Sequence, residues 1–193
     1  ILTGKAALII DHYDKAIMIN SIGFASRNVE EPGTETVVRG PREGFTESIG
    51  VNIALLRRKI KNPDLILEQL TLGRKTRTTI FVAYMNQIVN PEIVKEVKIR
   101  LKKIQIDSIL ESDSIEQLIE DNPTSVFSTV GNSEKPDIIA AKLLEGRVAI
   151  FCDGTPFVLT VPFLFIENLQ TAEDYYYRPF IATLLRIIRL ISL

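Results

Sequence analysis

The stretch from Arg39 to Glu47, which reads RGPREGFTE, constrains the fold of this chain more than any other. Its two glycines and its proline favour a tight, shaped loop over a strand. A helical pattern follows at once, because apolar residues recur at helical spacing from Ile49 to Ile60. Thr46 is the predicted N-cap, and Asn62–Asp64 is the predicted end of the helix. The sequence therefore predicts a charged loop that leads directly into a helix.

Composition places the chain among folded globular proteins and excludes several classes of function. Of its 193 residues, 46% are hydrophobic and 24% are charged, which is enough apolar material for a packed core. The formal net charge of -1 argues against non-specific nucleic-acid binding, which needs a basic surface. His12 and Cys152 are the single histidine and the single cysteine, so they cannot form an internal disulfide or, by themselves, a zinc site. We therefore expect no metal and no cofactor.

Strand and helix patterns alternate along the rest of the chain, and each has a physical signal at its ends. Proline at a first helical position, a capping residue before it and Asp-Gly at a turn are the main signals. The predicted elements are strands Lys5–Asp11 and Lys15–Asn20 as a hairpin, strands Leu65–Leu72 and Thr78–Tyr84, helix Pro91–Ile104 capped by Asn90, helix Ser114–Glu120 with a capping box of Ser114 and Gln117, a strand Val126–Val130, a helix from Pro136 to Gly146, and strand Arg147–Cys152, which turns at Asp153–Pro156 into strand Phe157–Val161.

This order of elements predicts a mixed α/β (α+β) fold with two small subdomains. The first subdomain is predicted over residues 1–74 and the second over residues 75–165. Residues 166–193 are predicted to be a linker and helix. Leu65–Leu72 is a strand that could pair with either half, so the boundary depends on its partner.

The last segment differs from the rest in composition. Three tyrosines and an arginine precede Pro179, and the apolar run that follows carries only Arg186 and Arg189 as charges. The run is too short and too charged to span a bilayer by itself. A membrane approach and a helix docked on the core are equally compatible with this composition. The candidate membrane-proximal residues are Tyr175, Tyr176, Tyr177, Arg178, Arg186 and Arg189.

A series of short motifs extends over nearly the whole chain. In order, they are Glu31-Pro32, Arg39–Glu47, Asn52, Leu55–Arg58, Leu72–Arg74, Asn90-Pro91, Arg100-Leu101, Lys135–Asp137, Leu144–Arg147, Asp153–Phe157 and Glu173–Tyr176. Together, in this order, they resemble the A subunit of the GerA family of spore germinant receptors. One departure is Lys135 before Pro136, where such proteins more often have arginine.

The resemblance implies a soluble domain ahead of a bundle of transmembrane helices in the spore inner membrane. It implies a transporter-like B subunit and a lipoprotein C subunit as partners, a ring of A subunits that forms an ion path, and no enzymatic activity. This chain is then expected on the cytoplasmic side, in the spore core, as part of a longer subunit. The basic residues of the last segment agree with that side. An A-type paralogue that serves release of spore-core solutes is the alternative within the family.

The central loop has three interpretations. Its arginines and the free N–H groups of a helix start suit a phosphate or carboxylate, as in a small-anion sensor or enzyme. Alternatively, Arg39 and Arg42 pair with nearby glutamates and hold the loop in shape, which we favour over a ligand site because charged groups in such a loop are usually paired. A subunit contact ranks close to that structural reading. The candidate residues are Arg39, Gly40, Pro41, Arg42, Glu43, Gly44 and Phe45.

Three further features favour structural interpretations. Cys152 ends a buried apolar run and is predicted to be a core cysteine. Asp153–Pro156 is explained as a hairpin turn rather than as a catalytic carboxylate beside a hydroxyl. The basic connection 73–77 and the basic helix face 95–103 could meet anionic lipid, but a solvated face is the better interpretation.

Overall fold

A computed structural model describes residues 5–8, 17–20, 43–121, 128–165, 167 and 179–191 of the chain. Its strands are β1 (Lys5–Leu8), β2 (Ile17–Asn20), β3 (Leu65–Leu72), β4 (Thr78–Met85), β5 (Gly131–Ser133), β6 (Val148–Cys152) and β7 (Val158–Val161). Its helices are α1 (Ile49–Lys59), α2 (Pro91–Lys103), α3 (Ser112–Ile119), α4 (Pro136–Leu144) and α5 (Pro179–Ile191).

Five strands form one antiparallel sheet in the order β3-β4-β6-β7-β5. The β3–β4 pair runs from Leu65 opposite Met85 to Leu72 opposite Thr78, so β3 joins the later strands of the chain. The predicted hairpin of β6 and β7 is confirmed, and β1 and β2 form a separate antiparallel pair, as predicted. The mixed α+β class is therefore confirmed, while the division into residues 1–74 and 75–165 stays a prediction.

Helices cover both faces of the sheet. Consecutive strand residues point to opposite sides, so each face buries its own set of apolar side chains. On one face α1 and α4 pack over Leu65, Ala83 and Phe151. On the other face, the apolar stripes of α2 and α3 cover Ile80, Val82 and Ile150. Each of these six strand residues is at most 1% exposed, so the sheet is the centre of the core.

Three local predictions were wrong. The strand expected at Val126–Val130 is instead β5, which begins at Gly131; Ser128, Thr129 and Val130 are not strand, and positions 126 and 127 lie outside the described residues. Helix α3 begins at Ser112, two residues before the predicted capping box, and its N-cap Glu111 makes no side-chain capping bond. The buried Ile115 and Ile119 set its position by facing the core, so packing outweighed the capping signal.

The start of α1 is the third difference. The helix begins at Ile49 with Ser48 as its N-cap, and Ser48 makes no side-chain capping bond. Thr46, the predicted cap, lies in extended chain before the helix and is held by a different contact. In contrast, the predicted cap of α2 is confirmed, since the Asn90 side chain accepts a hydrogen bond from the N–H of Glu92.

A buried charge cluster holds the segment after β7 against the sheet. Lys142 Nζ lies 3.1 Å from Glu167 Oε2 in an ion pair without hydrogen-bond geometry, and it donates to Thr160 Oγ1 at 3.1 Å. Arg147 pairs with the other oxygen of Glu167 and donates to the carbonyl of Pro162 at 2.9 Å. Lys142 and Glu167 are 5% and 7% exposed, so these charges depend on one another.

The same segment explains a glycine in β5. A Cβ atom at Gly131 would lie 2.3 Å from the ring of Phe163, which is closer than Cβ atoms approach other heavy atoms in proteins. The Phe163 ring in turn lies 5.2 Å from Lys142 Nζ, in a cation–π arrangement. Glycine is therefore needed here for close packing of the segment over β5.

Helix α5 confirms the helix expected in the last segment. Several of its large apolar side chains are exposed, with Phe180 at 80%. In the part of the chain that the structure describes, no helix is long and apolar enough to cross a membrane.

Candidate functional site

The end of the Arg39–Glu47 stretch lies where three separate parts of the chain meet. We call residues 43–48 the junction loop. It contacts α1, the start of α4 and the turn between β6 and β7. Each of these partners contains a motif that carried the family resemblance. The structure thus brings together motifs that are up to about a hundred residues apart in sequence.

Phe45 anchors the junction loop in the core. Its side chain is 7% exposed and meets the ring of Phe151 edge-on, with ring centroids 5.5 Å apart. This is a favourable geometry for two aromatic rings. The N–H of Phe45 donates to the carbonyl oxygen of Glu134 at 2.7 Å. Phe45 therefore ties the loop both to β6 and to the residues that precede α4.

Asn52 holds the next residue of the loop. Its side chain is buried in α1, and its Oδ1 atom accepts a hydrogen bond from the N–H of Thr46 at 2.7 Å. Its Nδ2 atom donates to the carbonyl oxygen of Thr46 at 2.6 Å. One side chain thus satisfies both polar backbone groups of Thr46. Asn52 belongs to the motifs that carry the family resemblance, but no local sequence pattern predicts this contact.

Asp153 caps α1 from the β6–β7 turn. Its Oδ1 atom accepts a hydrogen bond from the N–H of Ile49, the first residue of the helix, at 3.2 Å. The N–H of Gly154 donates to the carbonyl oxygen of Glu47 at 2.9 Å. A carboxylate at a helix N-terminus is favourable both as an acceptor and as a negative charge. The Asp-Gly pair is therefore a hairpin turn, as predicted, and also the cap that Thr46 was expected to supply.

Glu43 joins the loop to the end of α1 by charge. It forms an ion pair with Arg58, and its Oε2 atom lies 3.4 Å from Lys59 Nζ. Burial alone would raise the pKa of Glu43, but Arg58 and Lys59 outweigh burial and hold that pKa below its ordinary value. Glu43 is therefore a charged partner of the basic last turn of α1.

The start of α4 adds buried charge next to the loop. Lys135 is fully buried, and Asp137, two residues later, has a buried oxygen atom without a hydrogen bond. Burial raises the pKa of Asp137, and the charges of Lys135 and Lys59 oppose that rise. The Lys135-Pro136-Asp137 motif thus lies within electrostatic reach of the junction loop.

The remaining predicted site residues fall into two groups. Gly44 is buried in the loop, and Arg186 and Arg189 lie partly buried on α5. The positions that lie outside the described residues are Arg39, Gly40, Pro41, Arg42, Tyr175, Tyr176, Tyr177 and Arg178. The pairing of Arg39 and Arg42 with glutamates therefore stays a prediction, although the described partners of Glu43 are on α1.

The chemistry of the described residues is that of a structural junction. Cys152 is buried, as predicted, and burial together with the charge of Asp153 raises the pKa of its thiol to about 12. The thiol is therefore protonated near neutral pH. Within the described ranges, no group of three or more His, Cys, Asp or Glu side chains is placed to hold a metal ion.

Comparison with known proteins agrees with this architecture. The crystal structure of the N-terminal domain of the A subunit of the Bacillus megaterium spore germinant receptor GerK3 is 56% identical in sequence and superposes with a TM-score of 0.52. The match covers 63% of this chain and 97% of that one. The fold is therefore that of an A-subunit N-terminal domain of a germinant receptor.

The sequence comparisons extend over the whole chain. Residues 1–193 match the family model described as Bacillus/Clostridium GerA spore germination protein, and the chain belongs to this family. Spore germination protein KA of Bacillus subtilis (strain 168) is 48% identical over 99% of this chain and 35% of its own length. The uncharacterized membrane protein YfkQ of the same organism is 45% identical over 98% of this chain and 37% of its own length. The chain thus spans little more than a third of these two relatives.

Proposed function

We propose that this chain is the cytoplasmic N-terminal domain of the A subunit of a GerA-type nutrient germinant receptor. In this role it acts in receptor assembly and in transmitting the signal that triggers ion release and germination. Membership in the GerA family supports the link to spore germination. The partners proposed from that membership are a transporter-like B subunit, a lipoprotein C subunit and further copies of the A subunit.

The proposed role in signal transmission rests on one observation: three separate parts of the domain are hydrogen-bonded to consecutive residues of the junction loop. The backbone of Phe45 is bonded ahead of α4, that of Thr46 to α1, and that of Glu47 to the β6–β7 turn. A displacement of this loop would therefore act on both helices of one face of the sheet and on the hairpin at once. A loop with such fixed contacts suits the relay of a conformational change between elements.

The same contacts argue against the junction loop as the site where a nutrient binds. Glu43 is engaged by two cations of α1, and Phe45 fills the core, so these two side chains are already used within the domain. We propose the interface with other subunits as the place where the Arg39–Arg42 part acts, since arginine is favoured in protein interfaces.

A thermal-shift series on the 193-residue chain tests whether the domain transmits or senses. Amino acids, sugars, nucleosides and inorganic phosphate are each titrated while the unfolding temperature is followed. A ligand that binds only the folded state raises that temperature in a saturable way. We expect no saturable shift with any of them. A specific, saturating shift would place sensing in this domain and would overturn the proposal.

A further inference from the structure

Two basic segments that are distant in sequence meet at one corner of the domain. The turn between β3 and β4 brings three exposed cations, and the last turn of α2 brings two more, since its third basic residue, Arg100, is partly buried and paired with Glu96 and Asp121. We call Arg74, Lys75, Arg77, Lys102 and Lys103 the basic corner. All five side chains are exposed, and only Lys75 forms an ion pair among the described residues, with Asp107 at 3.0 Å. The corner therefore presents an excess of positive charge on a protein whose formal net charge is -1.

The turn that carries three of these cations is hydrogen-bonded to the segment that follows α2. The N–H groups of Arg74 and Lys75 donate to the carbonyl oxygens of Ile106 and Asp107 at 3.0 and 2.8 Å. The N–H of Ile109 donates to Thr76 Oγ1 at 3.1 Å. Gly73 has a φ of +81°, and a Cβ atom there would lie 2.4 Å from Thr76 Oγ1. The backbone that carries Arg74, Lys75 and Arg77 is therefore a turn fixed by hydrogen bonds.

Arg77 adds a second sign of a fixed conformation. It is a non-glycine residue with a φ of 50°, which is uncommon, and its N–H closes the turn onto the Gly73 carbonyl at 3.1 Å. Strained backbone of this kind is concentrated at functional sites. The arginine is therefore presented from a backbone position that most residues avoid.

A cavity of about 300 Å³ opens between the two segments. Its apolar lining comes from Leu70, Leu72, Ile104 and Ile106, and its lining also includes two cations, Arg74 and Lys102. The guanidinium of Arg74 has only a 3.4 Å hydrogen bond to Gln105 among the described residues. An apolar hollow beside two cations that form no ion pair among the described residues suits a ligand that carries an anion next to hydrocarbon.

We propose that the basic corner docks onto a membrane surface that contains anionic phospholipid, with a lipid phosphate between Arg74 and Lys102. The apolar hollow then receives the glycerol and upper acyl part of that lipid. Free phosphate would use the cations but not the hollow, and a nucleic acid has no hydrocarbon to place there. Clustered Lys and Arg side chains are attracted to anionic bilayers, and each such side chain near the surface strengthens the binding. This inference does not depend on the proposed role of the junction loop.

Vesicle flotation of the 193-residue chain tests the proposal. The vesicles are phosphatidylcholine alone, or phosphatidylcholine with about one third phosphatidylglycerol, which supplies the anionic surface. Because α5 exposes apolar side chains, binding to the neutral vesicles measures its separate contribution. We expect much stronger binding to the anionic vesicles, and we expect added salt to weaken it.

The test variant is Arg74→Gln with Lys102→Gln, which leaves α5 unchanged. Its matched control is Arg57→Gln with Lys61→Gln, which removes one arginine and one lysine charge at the end of α1, on the other face of the sheet. The test variant should lose roughly thirty-fold in partition onto anionic vesicles, from two side chains acting at the surface. The control should lose much less. None of the four positions is buried, so both variants are expected to fold, which thermal unfolding checks.

Three results would overturn the proposal. The first is equal binding of the parent chain to neutral and anionic vesicles. The second is an equal loss in the test variant and in its control, which would mean a general effect of charge. The third is release from anionic vesicles by inorganic phosphate at an ionic strength where potassium chloride has no effect, which would assign the corner to a free anion.

Discussion

Asn52 pairs with the backbone of Thr46 as a neighbouring strand would, accepting from its N–H at 2.7 Å and donating to its carbonyl at 2.6 Å. Asparagine is a poor helix former, yet this one lies inside α1 with 1% of its surface exposed. The cost in helix propensity is offset because two backbone groups next to the helix are satisfied. The presence of asparagine at position 52 is therefore explained by its hydrogen bonds to the junction loop and not by helix propensity.

Replacing Asn52 by alanine should destabilise the domain by about 2–4 kcal/mol, because two hydrogen bonds are lost and the polar groups of Thr46 are left unpaired. Urea unfolding followed by circular dichroism measures this change. The exposed Asn86 provides the control, and Asn86→Ala should change stability by less than about 0.5 kcal/mol. Similar stabilities of the two variants would show that the Asn52 contacts contribute little.

Asp153→Ala should destabilise the domain by about 0.5–2 kcal/mol, as expected for the loss of a helix cap. Asp153→Asn keeps an oxygen acceptor for the N–H of Ile49 and should recover most of that stability. Ser48→Ala is the comparison, since Ser48 occupies the N-cap position without a side-chain capping bond. A larger loss from Ser48→Ala than from Asp153→Ala would mean that the cap has been assigned to the wrong residue.

The two helix starts show why α2 was predicted correctly and α1 was not. Asn90 caps α2 through a bond within two residues, which sequence patterns describe well. Asp153 caps α1 across 104 positions, and no local pattern contains that information. The same reasoning applies to Lys142 and Glu167, whose pairing needs the fold before it can be seen. Sequence therefore identified most of the elements and several residues near the junction loop, while their partners required the packed sheet.

The strand pairing followed the same rule. The β6–β7 hairpin is local and was predicted from Asp-Gly and the apolar runs on either side of it. The partner of β3 was left open between the two halves of the chain, because the residue pattern of a strand does not specify which strand lies beside it. The structure pairs β3 with β4. The basic connection 73–77 was read as solvated, and only the fold showed that it adjoins the end of α2.

Glu167 should make stability depend on acid pH. Burial by itself would raise the pKa of Glu167, but the N–H of Leu164, the Arg147 guanidinium and Lys142 outweigh it and hold that pKa below 4.5. The unfolded chain then binds a proton at a higher pH than the folded chain does. The stabilisation is complete well above pH 4.5 and is lost as the pH falls through the lower, folded pKa.

The matching variant is Glu167→Gln, which leaves Lys142 and Arg147 without their buried carboxylate. It should cost about 3–5 kcal/mol at pH 7 and should flatten the decline of stability in acid. Urea unfolding between pH 3 and pH 7 measures both effects. The exposed Glu111, which forms no ion pair among the described residues, serves as the control through Glu111→Gln. An unchanged acid slope in Glu167→Gln would contradict this assignment.

The most direct test of the junction loop reverses the Glu43–Arg58 pair in the full-length gene in spores. The partners are 36% and 55% exposed, so breaking the pair should cost less than about 1 kcal/mol and should leave the domain folded. Germination rate and receptor level are measured for Glu43→Arg, for Arg58→Glu and for both together, with Lys61→Glu as the control. The proposed role predicts slow germination in each single variant, whether the receptor level stays normal or falls. It predicts partial recovery in the double variant, because Lys59 stays beside the reversed charge at position 43. Normal germination of both single variants would contradict it.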